Sequence, residues 1–338
     1  MKWLITGGLG FIGTNLSKYL AESGHEVIII DDLTRDGVAQ NEKYLNQNFG
    51  IRNIPIDISN RNKLEDFFKS NNDFDCVAHL AGQVSFVASV LNPYRDFEIN
   101  ALGTLNVLEC VRKYNDAATV IGISSNKIYG DLESLPIIET EKRYVLRDWP
   151  NGLNESLPLS FEGPYGCSKG VLDQYIIDYS RIYGLKTVSL RQSSVYGEFQ
   201  HPMSDQGWVA FLVREAVRGN KIKLNGIGKQ VRDLLFATDL ARLFDLLSRQ
   251  VKAGEPAFFN IGGGKDNSLS ILELFNLLET KGLKNIEYET GEFRQRDQKV
   301  FISDNTKIRN FCGWEPTTNV ETGITRIIEE ELKWLTKP

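Results

Sequence analysis

Tyr165 and Lys169 stand four residues apart in "PYGCSKG", a spacing that puts both side chains on one face of a helix. A free phenol titrates at about 10 and is a poor base at neutral pH. A lysine one turn away would stabilise the phenolate and bring it into a useful range. Spacing alone leaves the pair open between a catalytic unit and an ordinary exposed helix pair. A second chemical group lies upstream. In "ISSNKIYGD", Ser124 and Ser125 follow an apolar run that reads as a strand, and a hydroxyl at the end of a parallel strand lies where ligands bind in open α/β sheets.

The segment "ITGGLGFIG" reads either as G-x-x-G-x-x-G on Gly7, Gly10 and Gly13 or as G-x-G-x-x-G on Gly8, Gly10 and Gly13. It joins the first strand to the first helix. Glycines there permit a tight turn, close approach of a pyrophosphate and close helix–sheet packing. The helix N-terminus adds amide donors. Asp31 ends the second strand, where a carboxylate accepts hydrogen bonds from the adenosine ribose and repels a 2′-phosphate. NAD is therefore expected rather than NADP.

These groups need a frame, and the chain supplies one. Short Val/Ile/Leu-rich runs alternate with amphipathic segments, the rhythm of a Rossmann-type, doubly wound parallel sheet. Strands are expected at Trp3–Thr6, Glu26–Asp31, Arg52–Asp57, Asp75–Ala81, Thr119–Ser124 and Lys186–Gln192. Helices are expected at Phe11–Glu22, Asn62–Lys69, Asp96–Tyr114 and Tyr165–Tyr183. Beyond Gly197 the rhythm loosens. Helical patterns at Gln206–Arg218, Thr238–Gln250, Ser268–Lys281 and Val320–Leu335 enclose the short runs "IKLNG", "VRDLLF", "AFFNIGG" and "IEYET". Thr238 and Ser268 read as N-caps. The expected organisation is an NAD-binding domain over 1–197 and a smaller α/β substrate lobe over 198–338, with part of 231–262 returning to the first sheet.

With 338 residues, 41% apolar and 25% charged, the chain has the make-up of a globular protein too long for one core. A net charge of −5 argues against nucleic acid or an anionic membrane as partner. The four cysteines lack metal-ligand spacing and only three histidines accompany them, so no metal is expected. Structured sequence begins at once and no run approaches the roughly 20 apolar residues of a membrane span; the expectation is a soluble, cytoplasmic protein.

"TGGLGFIG", "HLAGQVS", "INALGTLNVLE", "SSNKIYG", "PYGCSK" and "VRDLLF" follow one another in the order found in the extended branch of the short-chain dehydrogenase/reductase family. The chain resembles that family along essentially its whole length. The resemblance implies that Tyr165 is the acid/base, Lys169 its partner and nicotinamide-ribose ligand, and Ser125, with Ser124 beside it, the holder of the reacting oxygen. It implies a cofactor site formed by Gly7, Gly10, Phe11, Ile12, Gly13, Asp31, Asp32, Asp57, Ile58, Leu80, Ala81, Gly82, Asn100, Tyr165 and Lys169. Asn100 would support the site, although a helix cap is an equal reading of that residue. The family commonly dimerises through two of its helices, so a homodimer or homotetramer is expected.

Sugar dehydratases of this family carry an Asp-Glu pair after the catalytic hydroxyl to protonate a departing hydroxyl. Asn126 and Lys127 stand there instead, which favours epimerisation. "AGQVSFVASVLNP", "DQGWVA" and "GKQVRD" resemble a group that inverts C2 of a CDP-linked hexose with bound NAD. On that resemblance Gln83, Asn126 and Ser193 would face the sugar, Gln206 and Trp208 the nucleotide, and Arg232 and Arg296 would clamp the pyrophosphate. A UDP-sugar 4-epimerase and a non-catalytic NAD-binding protein are the other readings. The chain departs from the group in lacking a Pro-Arg step before Gln206, in Gln192 and in having Gly163 before Pro164.

Overall fold

A computed structural model describes residues 1–335 apart from 202, 204, 205 and 295. Seven strands form one sheet in the spatial order Ala257–Ile261, Lys186–Gln192, Thr119–Ser125, Cys76–His79, Lys2–Thr6, Glu26–Asp31, Asn53–Pro55, and every neighbouring pair is parallel. The chain starts in the middle, runs to one edge, and resumes on the other side of the first strand. That reversal leaves a crevice at the carboxyl ends of Lys2–Thr6 and Cys76–His79, the place where such sheets hold ligands. The central strands Thr119–Ser125 and Cys76–His79 are buried along their whole length because helices cover both faces. Trp3, Ile5 and Ile121 pack on one side, and Leu4, Val77 and Val120 on the other.

The strand Ala257–Ile261 comes from the second half of the sequence and pairs with Lys186–Gln192; helix Ala237–Leu247 packs in the same core as helix Phe11–Glu22. Other C-terminal elements gather around a separate apolar cluster of Tyr196, Leu212, Phe275 and Ile324, while Val300 and Phe301 pack with Ile128 and Tyr129.

Several expected boundaries moved. Neither expected cap caps. Thr238 lies inside helix Ala237–Leu247, and Ser268 starts the short strand Ser268–Ser270. Ser270 instead caps helix Ile271–Thr280 through a reciprocal pair with Glu273, each satisfying an otherwise orphaned backbone donor. The expected helix Asp96–Tyr114 is three pieces: Pro93–Phe97, a π-helical turn Glu98–Leu102, and Gly103–Tyr114. Helix Val38–Phe49, flanked by left-handed Gly37 and Gly50, had no counterpart in the sequence reading.

Helix Gly163–Tyr183 carries Tyr165 and Lys169, starts with Pro164 in its first turn and stops at left-handed Gly184. Gly163 has φ +66°, and a Cβ there would lie 2.6 Å from the Phe86 ring. The departure from serine at this position is thus a backbone requirement of this chain. The helix is fastened to the sheet by a buried ion pair. Arg191 donates from Nη2 to Asp173 Oδ2 at 2.8 Å and from Nε to Oδ1 at 3.1 Å, with side chains 3% and 0% exposed. Removing one partner strands a charge in the interior. Arg191→Met is therefore expected to destabilise the protein by about 3–5 kcal/mol, read as a lowered urea midpoint in equilibrium unfolding; a midpoint equal to wild type would show that the pair does not anchor the helix.

Candidate active site

The glycine turn closes because side chains are missing from it. A Cβ on Gly13 would sit 2.4 Å from the Gly7 carbonyl oxygen, and one on Gly7 would sit 2.6 Å from the Ala81 nitrogen. Helix Phe11–Glu22 begins at Gly10 with no side-chain cap and no acid in its first turn. Its leading amide donors are thus left to an anion, which a pyrophosphate supplies. Asp31 takes the Leu9 amide on one carboxylate oxygen at 3.1 Å and the Leu33 amide on the other at 3.0 Å. It therefore pins the glycine turn to the end of its strand and lines the smaller of two cavities beside it, and burial pushes its carboxyl up against the pull of those two amides.

Two adjoining cavities follow from this turn. One of about 330 Å³ is lined by Asp31, Asp32, Asp57, Ile58 and the run Leu80–Gly82. The other, about 510 Å³, extends from Gly10, Phe11, Ile12 and Gly13 past Ser124, Ser125, Asn126, Tyr165 and Lys169 to Trp208 and Arg296. Gly7, Gly10, Leu80 and Gln206 belong to both walls. Beside the first, Arg95 bridges Asp57 at 2.9 Å and Asp32 at 3.4 Å.

Asn100 neither caps a helix nor reaches the cavities; it is fully buried in the π-turn. Its amide nitrogen donates to the Gln83 carbonyl, Asp96 and Ser168, and its oxygen accepts from the Gln83 amide at 3.0 Å. The extra residue of the π-turn aims this side chain at the sheet edge. Gly82 makes room: a Cβ there would meet Asn100 Oδ1 at 3.0 Å and Lys169 Nζ at 3.1 Å.

Lys169 Nζ donates to the Ile123 carbonyl at 3.2 Å. Burial pulls the amine down to about 8, with Asp96 acting in the opposite direction. His79 lies near it, held between the Thr6 and Thr104 hydroxyls and kept neutral because burial drops it to about 3. The expected depression of the Tyr165 phenol by Lys169 is not seen. Burial pushes Tyr165 up to about 12, and only Ser125 and Arg35 act downward. Burial is the largest cause and Asp96 adds to it, while Lys169, drawn toward the Ile123 carbonyl, is not among the groups that lower the phenol. Ser125 ends its strand and caps the 3₁₀ turn Asn126–Tyr129, accepting the Lys127 amide at 3.2 Å; the Ser124 hydroxyl points to the Lys169 carbonyl at 3.3 Å.

The expected sugar and nucleotide contacts divide. Ser193, Gln206, Trp208 and Arg296 line the larger cavity. The Trp208 indole N–H is committed to Ser194 at 3.1 Å, and Gln206 accepts from Arg35 at 2.5 Å beside the glycine turn. Asp205, first residue of "DQGWVA", is outside the described residues. Gln83 lines only the smaller, cofactor-side cavity, and both ends of its amide are taken up by the Ser85 backbone. Arg232 lines neither wall: it donates to the Val231 carbonyl and to Asp297 at 2.9 Å. Arg296, 61% exposed, pairs with Asp131 and Glu162. The two arginines therefore do not form one clamp.

Three residues of the site were missed. Lys127 lines the larger cavity and pairs with Asp297 at 2.8 Å. Asp297 places a carboxylate on that wall; burial acts to raise it, but Arg232 and Lys127 outweigh burial and hold it at about 2. Asp96 lies one turn before Asn100, buried, with one carboxylate oxygen unpartnered. The spacing of Asp96 and Asn100 was the available signal for the last; nothing in the sequence joined 127 to 297.

A parallel sheet with a glycine turn at its reversal, and a Ser–Tyr–Lys group facing it, defines a dinucleotide-dependent enzyme acting on a hydroxyl-bearing carbon. Residues 3–262 match the model of the NAD dependent epimerase/dehydratase family. CDP-paratose 2-epimerase of Salmonella typhi is 42% identical over 97% of this chain and 98% of its own. A putative UDP-glucose 4-epimerase of Methanocaldococcus jannaschii is 32% identical over 96% of each chain. In structure, UDP-glucose 4-epimerase of Thermotoga maritima superposes with TM-score 0.84 at 31% identity, covering 99% of this chain and 100% of that one. The chain belongs to the NAD-dependent epimerase/dehydratase family, and its cofactor is NAD.

Asp96 favours the charged form of Lys169. Asp96→Asn is therefore expected to let Lys169 lose its proton at lower pH, moving the alkaline limb of the kcat/KM profile downward. A limb that stays in place, or moves up, would remove Asp96 from the group acting on Lys169.

Proposed function

We propose that this protein is an NAD-dependent epimerase that inverts C2 of a CDP-linked hexose through a transient keto-sugar. The reading is carried by one observation: Ser125, Tyr165 and Lys169 line a cavity continuous with the glycine turn, and the Asp297 carboxylate on that wall is held ionised. A carboxylate kept at about 2 cannot donate a proton to a leaving hydroxyl at neutral pH, so Asp297 cannot drive loss of water. The likeness to CDP-paratose 2-epimerase supports C2 as the reacting carbon and CDP as the carrier.

Tyr165 Oη takes the proton of the sugar hydroxyl and later gives it back. Ser125 Oγ holds the same oxygen, and Lys169, one turn along the helix from Tyr165, lines the same cavity and would hold the nicotinamide ribose. NAD, when bound, supplies the acceptor and donor of the hydride. Residues 1–197 are assigned to the cofactor and 198–338 to the nucleotide sugar, with Ala257–Ile261 lending a strand to the first sheet. Leu91, Tyr94 and Phe97 on the consecutive helices Phe86–Leu91 and Pro93–Phe97, and Ile182 on helix Gly163–Tyr183, are exposed apolar side chains, which supports a homodimer. No described helix is long and apolar enough to cross a membrane.

Tyr165→Phe is expected to lower turnover at least ~10²–10⁴-fold while calorimetric binding of the nucleotide sugar persists. Turnover near wild type would take the proton transfer away from Tyr165. Run in D₂O with a CDP-hexose, the reaction is expected to invert C2 without incorporating deuterium there, as read by NMR. Deuterium at C2 would mean deprotonation beside a ketone; inversion at C4 of a UDP-sugar would select a 4-epimerase instead.

A further inference from the structure

We infer that Gln298 is a positioning residue for the reaction: acting through Asn126, it sets which way the Ser125 hydroxyl points. The inference rests on the assignment of Ser125 to the reacting oxygen. Gln298 belongs to the C-terminal half, two residues before the strand Val300–Phe301, and is 0% exposed. Its amide nitrogen donates to two backbone carbonyls, Gly130 at 2.7 Å and Asn126 at 3.1 Å. Carbonyls only accept, so the orientation of this amide is decided by the backbone. The Gln298 oxygen must then face Asn126, and it accepts from Asn126 Nδ2 at 2.7 Å.

That contact decides the second amide. With its nitrogen turned to Gln298, Asn126 presents its oxygen to Ser125, whose hydroxyl lies 3.3 Å away. An amide oxygen cannot donate, so the Ser125 hydrogen is the one in this contact. One lone pair of Ser125 Oγ already takes the Lys127 amide at 3.2 Å. The other faces the cavity shared with Tyr165; because Tyr165 takes the one proton of the substrate hydroxyl, what Ser125 offers that oxygen is its hydrogen, shared from Asn126 Oδ1. The polarity of the catalytic serine is thus written by two main-chain carbonyls and relayed through two side-chain amides. Asn126 has a role here besides any contact with the sugar, and Gln298 reaches no cavity wall, so its influence passes through the Asn126 side chain and the turn backbone it holds at Asn126 and Gly130.

A double-mutant cycle tests this on the full-length protein with its dinucleotide bound. Gln298→Leu keeps volume and loses both polarities; it is expected to lower kcat roughly tenfold or more, as misorientation does, with KM within about threefold of wild type. In an Asn126→Ala background the same change should alter kcat less than about twofold, because the relay is already cut. Gln298→Glu keeps an acceptor for Asn126 and is expected to retain more activity than Gln298→Leu. Equal losses from Gln298→Leu in both backgrounds, or a loss confined to KM, would overturn the relay.

A second measurement needs no substrate. In ¹⁵N-labelled wild-type protein the Asn126 side-chain amide should exchange with solvent slowly, and in Gln298→Glu it should remain slower than in Gln298→Leu. Exchange that is fast in wild type, or indifferent to position 298, would also overturn the inference. If no nucleotide sugar is epimerised, the functional reading fails on its own, and the exchange data still decide whether Gln298 orients Asn126.

Discussion

One buried amine organises the catalytic end of this molecule. Taking a lysine out of water is expensive unless its surroundings compensate, and around Lys169 each neighbour does part of that work. The Ile123 carbonyl accepts its hydrogen bond, Asp96 favours its charge from the next helix, and Gly82 leaves the space it occupies. The π-turn at Glu98–Leu102 carries Asn100 into the same region, where it ties down the Gln83 backbone on both its donor and acceptor sides. The balance leaves the amine near 8, close enough to neutrality that a modest change in the field around it changes its charge. A lysine with an ordinary value could not respond in this way.

The C-terminal half contributes more than a cover. Asp297 and Gln298 are adjacent, and the two face different neighbours of Ser125: Asp297 pairs with Lys127, and Gln298 binds Asn126. The pair of residues that replaces the acids of a dehydratase is therefore matched by a pair from the other half of the chain. Arg232 completes the arrangement by neutralising Asp297 from behind. An acid is present at the wall, yet its proton is unavailable at neutral pH because Arg232, Lys127 and Arg294 hold it ionised. The same contacts make the serine turn rigid, since Lys127 and Asn126 are both fastened across the interface.

The arrangement also accounts for two features that read as departures from the wider pattern. Glycine at 163 is demanded by a left-handed backbone and by the Phe86 ring. Arg232, which in sequence looks like a phosphate ligand, is oriented by a carboxylate 65 residues away. In each case a neighbour distant in sequence sets the side chain's task.

The sequence by itself determined the parallel sheet, the glycine turn and NAD, because each rests on local order: apolar runs of strand length and glycines at turn spacing. The Ser–Tyr–Lys group was legible only through the resemblance to a family, since spacing alone left Tyr165 and Lys169 open. Helices Phe11–Glu22 and Val320–Leu335 and strands Glu26–Asp31 and Lys186–Gln192 fell on the expected residues for that reason. Caps were misread where several Ser and Thr lay within one turn, since only the packed backbone selects Ser270 over Ser268. The π-turn escaped because its single extra residue leaves the helical period almost intact. What only the tertiary structure decided is the electrostatics: the high phenol of Tyr165, the low amine of Lys169, the silenced acid Asp297 and the orientation of Gln298. Those depend on burial and on partners up to 172 residues apart, and desolvation in a folded interior leaves no trace in the spacing of residues along a chain.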